Sequence, residues 1–318
     1  MVWLICIAAF IVLLLALFAI VLYKIYEYAF KRDPKRDADP FFMPDEEGYT
    51  KYRKESSEFI QTAMDAPVTE EIRIKSFDGT ELYARYYENC PGAPVMLVFH
   101  GYRGNALREG CGGFRTAKLL NINILLPDQR AHGKSGGKCI TMGVKERCDC
   151  LEWVKYTEER FGSVDKVLVG LSMGAATVMM ASDLPLPESV KGIWADCGYS
   201  SPADIITEVA VSRGLPRGIS RFCGCLAARI YGGFDLDGAS AEESLKKCKI
   251  PVLFIHGRED NFVPCYMSEL CYEACASEKH LLIVDGATHA MSYYVDPEGY
   301  AKCVRMFTKR TLGLTDEE

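Results

Sequence analysis

Residues 166–174 read Lys166-Val167-Leu168-Val169-Gly170-Leu171-Ser172-Met173-Gly174, and AATVMMAS follows at 175–182. An apolar strand runs through G-x-S-x-G into a helix of small residues. The context carries more weight than the pattern. A sharp strand-to-helix turn forces the serine into a strained conformation and exposes its hydroxyl. Gly170 and Gly174 are needed because side chains there would strike neighbouring backbone. The helix N-terminus offers free N–H groups and a positive dipole to an anion. Ser172 is therefore the candidate nucleophile, and this turn decides the fold.

Working outward, EEIRIKS (70–76) and TELYARYYE (80–88) flank Phe77-Asp78-Gly79, two alternating strands around an Asp-Gly turn. VMLVFHG (95–101), INILLPD (122–128), VKGIWADC (190–197), PVLFIHG (251–257) and HLLIVDG (280–286) read as further strands, and residues 144–161 have helical periodicity. Apolar strands alternating with helices imply a parallel sheet covered on both faces, with the opening hairpin adding antiparallel strands at one edge. The stretch 199–248 is too long for an ordinary crossover. PADIITEVAVSRG and RFCGCLAARIYGG within it predict two short helices forming a cap over the strand ends.

A serine needs a base to take its proton. Of five histidines, His289 follows the last strand in Gly286-Ala287-Thr288-His289. It falls at the carboxyl edge of the sheet, where chemistry collects in open α/β folds. The orienting acid is expected after the strand 251–257, where Asp260 leads the turn and Glu259 is its rival. The chain order Ser172, Asp260, His289 is the order of α/β hydrolases. Two backbone donors must hold the oxyanion. Met173 N–H follows the nucleophile, and Tyr102 N–H follows Gly101 in the loop after VMLVFHG. His100 reads as a structural residue of that loop.

HGYRGN, Asp128-Gln129-Arg130-Ala131-His132-Gly133-Lys134-Ser135, GLSMG, HGREDNFVP and GATH occur in one order and spacing. In these the chain resembles α/β hydrolases of the serine-aminopeptidase and monoglyceride-lipase-like branch, especially membrane-anchored bacterial members, over roughly residues 68–311. The resemblance implies an eight-stranded, mostly parallel sheet and an acyl-enzyme mechanism. It also implies that Arg130 and His132 hold the loop near the site rather than take part in the chemistry.

Residues 2–23 form an uncharged apolar run, and about 20 such residues span a bilayer as a helix. No basic residue precedes the run and no small-residue cleavage motif closes it, so a retained anchor is expected rather than a signal peptide. Lys24, Lys31, Arg32, Lys35 and Arg36 follow it, which places the catalytic domain in the cytoplasm by the positive-inside rule. The 14 cysteines fit a reducing compartment. They show no C-x-x-C with paired histidines, so neither zinc nor any other cofactor is expected. A net charge of -6 excludes a nucleic-acid partner that needs a basic face. Residues 24–67 are expected to form a juxtamembrane linker, broken by Pro34, Pro40 and Pro44, and then an amphipathic helix over 45–64. That helix packs on the hydrolase domain or, alternatively, lies on the membrane or binds a partner. Residues 312–318 are a tail.

The expected activity is hydrolysis of carboxylic esters with small to medium or lipid-derived acyl groups. Peptide, amide and thioester cleavage are alternatives on the same triad. A non-catalytic, membrane-held scaffold is the alternative of another class. Ile205, Ile206 and Val209 in the cap are candidates for an acyl pocket, or equally for the cap's own core. The composition gives no oligomeric state.

Overall fold

The structure is a computed structural model that describes residues 1–34, 39–43, 45 and 47–314. The basic residues Lys35 and Arg36, the linker proline Pro44 and the tail residues 315–318 lie outside the described residues. Three helices come first: α1 (Val2–Ala29), α2 (Glu47–Thr50) and α3 (Arg53–Asp65). Then follow β1 (Glu70–Lys75), β2 (Glu81–Tyr87), β3 (Val95–Phe99), α4 (Ala106–Leu119), β4 (Asn123–Asp128), α5 (Glu146–Phe161), β5 (Lys166–Leu171), α6 (Met173–Ala181) and β6 (Val190–Asp196). The cap contributes α7 (Pro202–Val211), α8 (Arg217–Ala227) and α9 (Ala241–Leu245). The chain ends with β7 (Val252–Gly257), α10 (Tyr266–Ala274), β8 (Lys279–Val284), α11 (Ser292–Val295) and α12 (Pro297–Leu312).

The eight strands form one sheet in the order β1-β2-β4-β3-β5-β6-β7-β8. β2 pairs antiparallel with both β1 and β4, and every other pairing is parallel. This is the α/β-hydrolase sheet. Its central strands are buried on both faces, which is why they read as continuous apolar runs. The period of two divides their side chains cleanly. Leu97 and Leu168 join Trp153 and Met179 on one side. Met96, Val98 and Val167 join Ile60, Phe114 and Val304 on the other.

The N-terminal region departs from expectation. α1 is 28 residues long and is long and apolar enough to cross a membrane. It does not give way to a free linker at residue 24. Leu22, Ile25, Tyr26 and Ala29 recur at helical spacing, so the helix continues and lays that face on the domain. Phe30 is fully buried, its ring edge-on to Phe234 with centroids 5.4 Å apart. Arg32 then donates to the backbone oxygens of Gly133 and Ser135. Charges at Lys24, Glu27 and Lys31 mask this apolar periodicity in the sequence.

The helix expected over 45–64 forms as two pieces, α2 and α3, that pack on the domain. Tyr52 stacks on Tyr294, and Phe59 meets Tyr293 edge-on. The cap also differs from the expected pair of helices. α8 runs on through a π-turn at Ala228–Gly232, and α9 adds a third helix. At the other end of the active-site face, α10 begins at Tyr266, beyond Pro264.

If residues 24–34 belong to the folded unit, Phe30→Ala destabilises the whole domain. Removing a fully buried phenylalanine costs about 3–5 kcal/mol. Urea unfolding of the full chain in detergent is expected to shift by that amount. A free linker would leave the midpoint unchanged.

Candidate active site

Four chain crossings at the carboxyl ends of neighbouring strands build the site. Ser172 follows β5, Asp260 follows β7, His289 follows β8, and Tyr102 lies after β3. Ser172 has φ 54° and ψ -115°, a conformation that non-glycine residues rarely adopt. Close backbone contact imposes it. A Cβ on Gly174 would overlap the carbonyl of Phe99, and one on Gly170 would overlap the backbone of Gly174. A Cβ on Gly101 would lie 3.2 Å from Ser172 Cβ, so the loop after β3 presses on the turn. Gly257 does the same service beneath the His289 loop, where a Cβ would overlap the carbonyl of Ala287.

These constraints join the three candidate residues in one chain of hydrogen bonds. His289 Nε2 lies 3.0 Å from Ser172 Oγ, and His289 Nδ1 lies 2.6 Å from Asp260 Oδ2. With Nδ1 donating to the carboxylate, Nε2 is left to accept the serine proton. Glu259, the rival acid, is exposed and accepts from Gly286 N–H instead.

Asp260 is fully satisfied. Its Oδ1 accepts from the N–H groups of Phe262 and Val263 at 2.9 and 2.8 Å. His256 Nε2 lies 3.2 Å from Oδ2 and 2.9 Å from the carbonyl oxygen of Val263. Both neighbours are acceptors, so Nε2 carries the hydrogen, and Nδ1 accepts from Ser268 Oγ at 2.6 Å. Burial opposes charge on Asp260. The two imidazoles and the donated hydrogen bonds outweigh that and hold the carboxyl well below its ordinary range. Burial likewise opposes charge on His289, but the Asp260 carboxylate wins and raises the imidazole above its ordinary value of 6.5.

The two candidate oxyanion donors lie in the residue after Ser172 and in the loop after β3, whose Gly101 faces Ser172. Met173 is the first residue of α6, where helical N–H groups lack an intrahelical acceptor. Tyr102 follows Gly101, whose own N–H donates to the Glu109 carboxylate. The loop is held from below by two buried histidines. His100 Nε2 accepts from Gln129 N–H and His132 Nε2 accepts from Arg103 N–H, each at 2.9 Å. Burial lowers the His132 pKa well below 6.5, so its ring stays neutral. Arg130 lies deeper, paired with Asp149 at 2.6 Å and with Asp78 at 2.9 Å.

Sequence reasoning missed three acidic or histidine neighbours. Glu109 in the first turn of α4 ties down Gly101 and pairs with Arg108 at 2.9 Å. His256 lies at the end of β7, and its contact with Asp260 depends on the turn that follows. Asp196 ends β6 fully buried, where burial raises its carboxyl to about 6 against the hydrogen bond from Tyr300. Its backbone oxygen accepts from Ser172 N–H at 2.8 Å. Among the described residues, Cys197, Asp260 and His289 form the one group with ligand atoms close enough, within 4.8 Å, to hold a metal ion. Two of the three belong to the hydrogen-bonded chain itself. All 14 cysteines carry free thiols. In the cap, Ile205 is buried in the core that includes Cys223 and Ala227, and Ile206 and Val209 pack against that core.

Comparison with known proteins agrees with this architecture. The family model described as "alpha/beta hydrolase fold" matches residues 94–215, and the one described as "Serine hydrolase (FSH1)" matches residues 224–290. The uncharacterized protein YqkD of Bacillus subtilis is 28% identical over 67% of this chain and 70% of its own length. Protein bem46 of Schizosaccharomyces pombe is 28% identical over 66% of this chain and 67% of its own. Among solved structures, the Pyrococcus furiosus esterase Pf2001 superposes with a TM-score of 0.62 at 23% identity, covering 80% of this chain and 94% of that one. Est1E of Butyrivibrio proteoclasticus, solved with ferulic acid bound, gives 0.58 at 22% identity, covering 76% and 99%. At that identity the likeness carries the fold.

The electrostatics make a prediction that needs no substrate. Followed by NMR, the His289 imidazole is expected to titrate above 6.5. Asp260→Asn removes the compensating charge but not the burial, so titration should fall below 6.5. A His289 signal that titrates identically in both proteins would contradict the assigned coupling.

Proposed function

We propose that this chain, which belongs to the α/β-hydrolase superfamily, is a serine hydrolase that cleaves carboxylic esters of small to medium or lipid-derived acyl groups. The observation that carries the reading is the continuous chain Asp260–His289–Ser172, with contacts of 2.6 and 3.0 Å, set behind a serine of strained backbone. Esters are preferred over amides and thioesters because the fold's solved neighbours include an esterase and a ferulate-bound enzyme. The apolar α1 would also hold the site beside lipid esters.

In the reaction, His289 Nε2 takes the Ser172 proton as Oγ bonds to the acyl carbon. The oxyanion is held by the N–H groups of Met173 and Tyr102. When the tetrahedral adduct collapses, the bond to the alcohol oxygen breaks and His289 returns the proton to that oxygen. Water, deprotonated by the same imidazole, then attacks the acyl-enzyme, and the acid leaves with Ser172 restored. Asp260 stays ionised throughout, fixing the tautomer of His289 and stabilising its cationic form. Glu109, His256, His100 and His132 act as positioning residues.

Retention of α1 as an anchor is part of the proposal. Its last two turns are built into the domain through Leu22, Ala29 and the following Phe30, which supports an anchor over a cleaved leader. The basic residues after the span favour a cytoplasmic domain. Protease protection of sealed cells checks that side.

Labelling with a fluorophosphonate, and turnover of p-nitrophenyl esters of increasing chain length, test the activity. Ser172→Ala should abolish labelling. Asp260→Asn should reduce kcat by about 10⁴-fold through loss of the productive tautomer. A folded wild-type protein that neither labels nor turns over would return the chain to the scaffold reading.

A further inference from the structure

The cap carries an apolar face that the proposed chemistry does not use. Leu215, Ile219, Phe222 and Ile230 are 55%, 63%, 59% and 56% exposed. Ile219 and Phe222 are three apart on α8, so they share one face. Cys223 and Ala227, on the adjoining face, are buried in the core. Arg217 and Arg221 lie farther round the helix and pair with Glu208, Asp204 and Asp237. Apolar residues on one side and arginines on the other are the pattern of a helix that lies in a membrane surface. Exposed apolar clusters of this kind mark interaction sites rather than ordinary surface.

What identifies the occupant is the position of α8 relative to α1. The two helices pack together, and the Tyr231 hydroxyl just beyond α8 donates to the backbone oxygen of Ala19 at 3.0 Å. The Tyr231 ring also meets Tyr23 edge-on, with centroids 5.4 Å apart. Ala19 lies inside the uncharged run 2–23, four residues before Tyr23. At 1.5 Å per helical residue, Ala19 sits about 6 Å inside the end of that run. A chain segment bonded to Ala19 cannot stand clear of a bilayer that α1 spans.

We propose that α8 and the turn after it dock in the leaflet into which the end of α1 emerges, with Ile219 and Phe222 among the acyl chains and Arg217 and Arg221 at the headgroups. The partner is the phospholipid leaflet itself, and the cap is held in its surface. This inference rests on α1 being a membrane anchor, and it deepens the proposed function by making the cap face the lipid phase.

Depth-dependent quenching tests it on the full chain. The protein is reconstituted in phosphatidylcholine vesicles carrying a doxyl group near the ester carbonyl. Trp153 and Trp194 are buried, so in the unaltered chain Trp3 reports on α1. In a Trp3→Phe background, Phe222→Trp reports on α8, and Ile219→Trp replaces it should that variant not fold. Leu119→Trp, 69% exposed at the far end of α4, is the control. The proposal expects loss of emission from the α8 tryptophan, as for a side chain at the acyl boundary, with the Leu119→Trp emission unchanged. Quenching of Trp3 without quenching at α8 overturns the docking while leaving the anchor intact. Absence of Trp3 quenching overturns both. An unquenched but blue-shifted α8 tryptophan gives the face to a second copy of the chain and also overturns the proposal.

Discussion

The site depends on backbone meeting backbone at the end of β5. Gly170 and Gly174 leave no side chain between the turn and its neighbours, so α6 can begin directly against the Phe99 and His100 carbonyls. Only with that approach does Ser172 take its positive φ. A conformation of that kind costs of order 1–3 kcal/mol and persists only where the surroundings determine it. Here they do so from three sides. The helix buries every one of its residues, the Gly101 loop presses from above, and Ser172 N–H is bonded to the end of β6. The strain is thereby converted into a fixed direction for one hydroxyl.

Charge is arranged with the same economy around Asp260. A carboxylate at the bottom of an apolar cleft would ordinarily take up a proton. Four N–H donors, two of them imidazole, keep it ionised. The consequence is carried outward. An ionised Asp260 makes His289 more basic, and in the proposed reaction a more basic imidazole would take the serine proton more readily. Asp196, a strand away and equally buried, feels the same two imidazoles but accepts its side-chain hydrogen bond from Tyr300 alone among the described residues, and burial raises it instead. The two aspartates share nearly the same depth, and the donors at the β7 turn explain why one is suited to orient a base and the other is not. His256 matters in this setting because its Nε2 adds a second imidazole donor to the same carboxylate oxygen as His289.

Much of this was legible in the residues, and the reasons differ from element to element. The central strands announced themselves because burial on both faces leaves no room for polar residues. The hydrogen-bonded chain Asp260–His289–Ser172 was legible because strand ends and turn glycines can be located to within a residue or two, and the chemistry restricts the residue types. The support was harder to see. The Glu109–Gly101 contact and the His256–Asp260 contact join positions whose proximity exists only after loops close, and nothing local marks them. The N-terminal segment misled for a different reason. Lys24 and Glu27 on α1, and Lys31 just beyond its end, make residues 24–31 look like a polar linker. The apolar face of the same turns is already committed to the domain through Leu22, Ile25 and Ala29.

That commitment changes what α1 would be as the proposed anchor. A span joined by a flexible linker would tether a domain that tumbles above the surface, and the orientation of the site would be averaged. Here α1 enters the domain as one of its own helices. Arg103, next to the candidate oxyanion residue Tyr102, donates to the Tyr28 carbonyl at 2.8 Å, and the Tyr102 hydroxyl reaches the same oxygen at 3.2 Å. That carbonyl belongs to the last turn of α1, where helical C=O groups lack intrahelical donors and attract cations. The loop beside Ser172 therefore satisfies the end of α1. Any tilt of α1 moves the acceptors of Arg103 and Tyr102, so the geometry of the site and the setting of that helix are mechanically one problem.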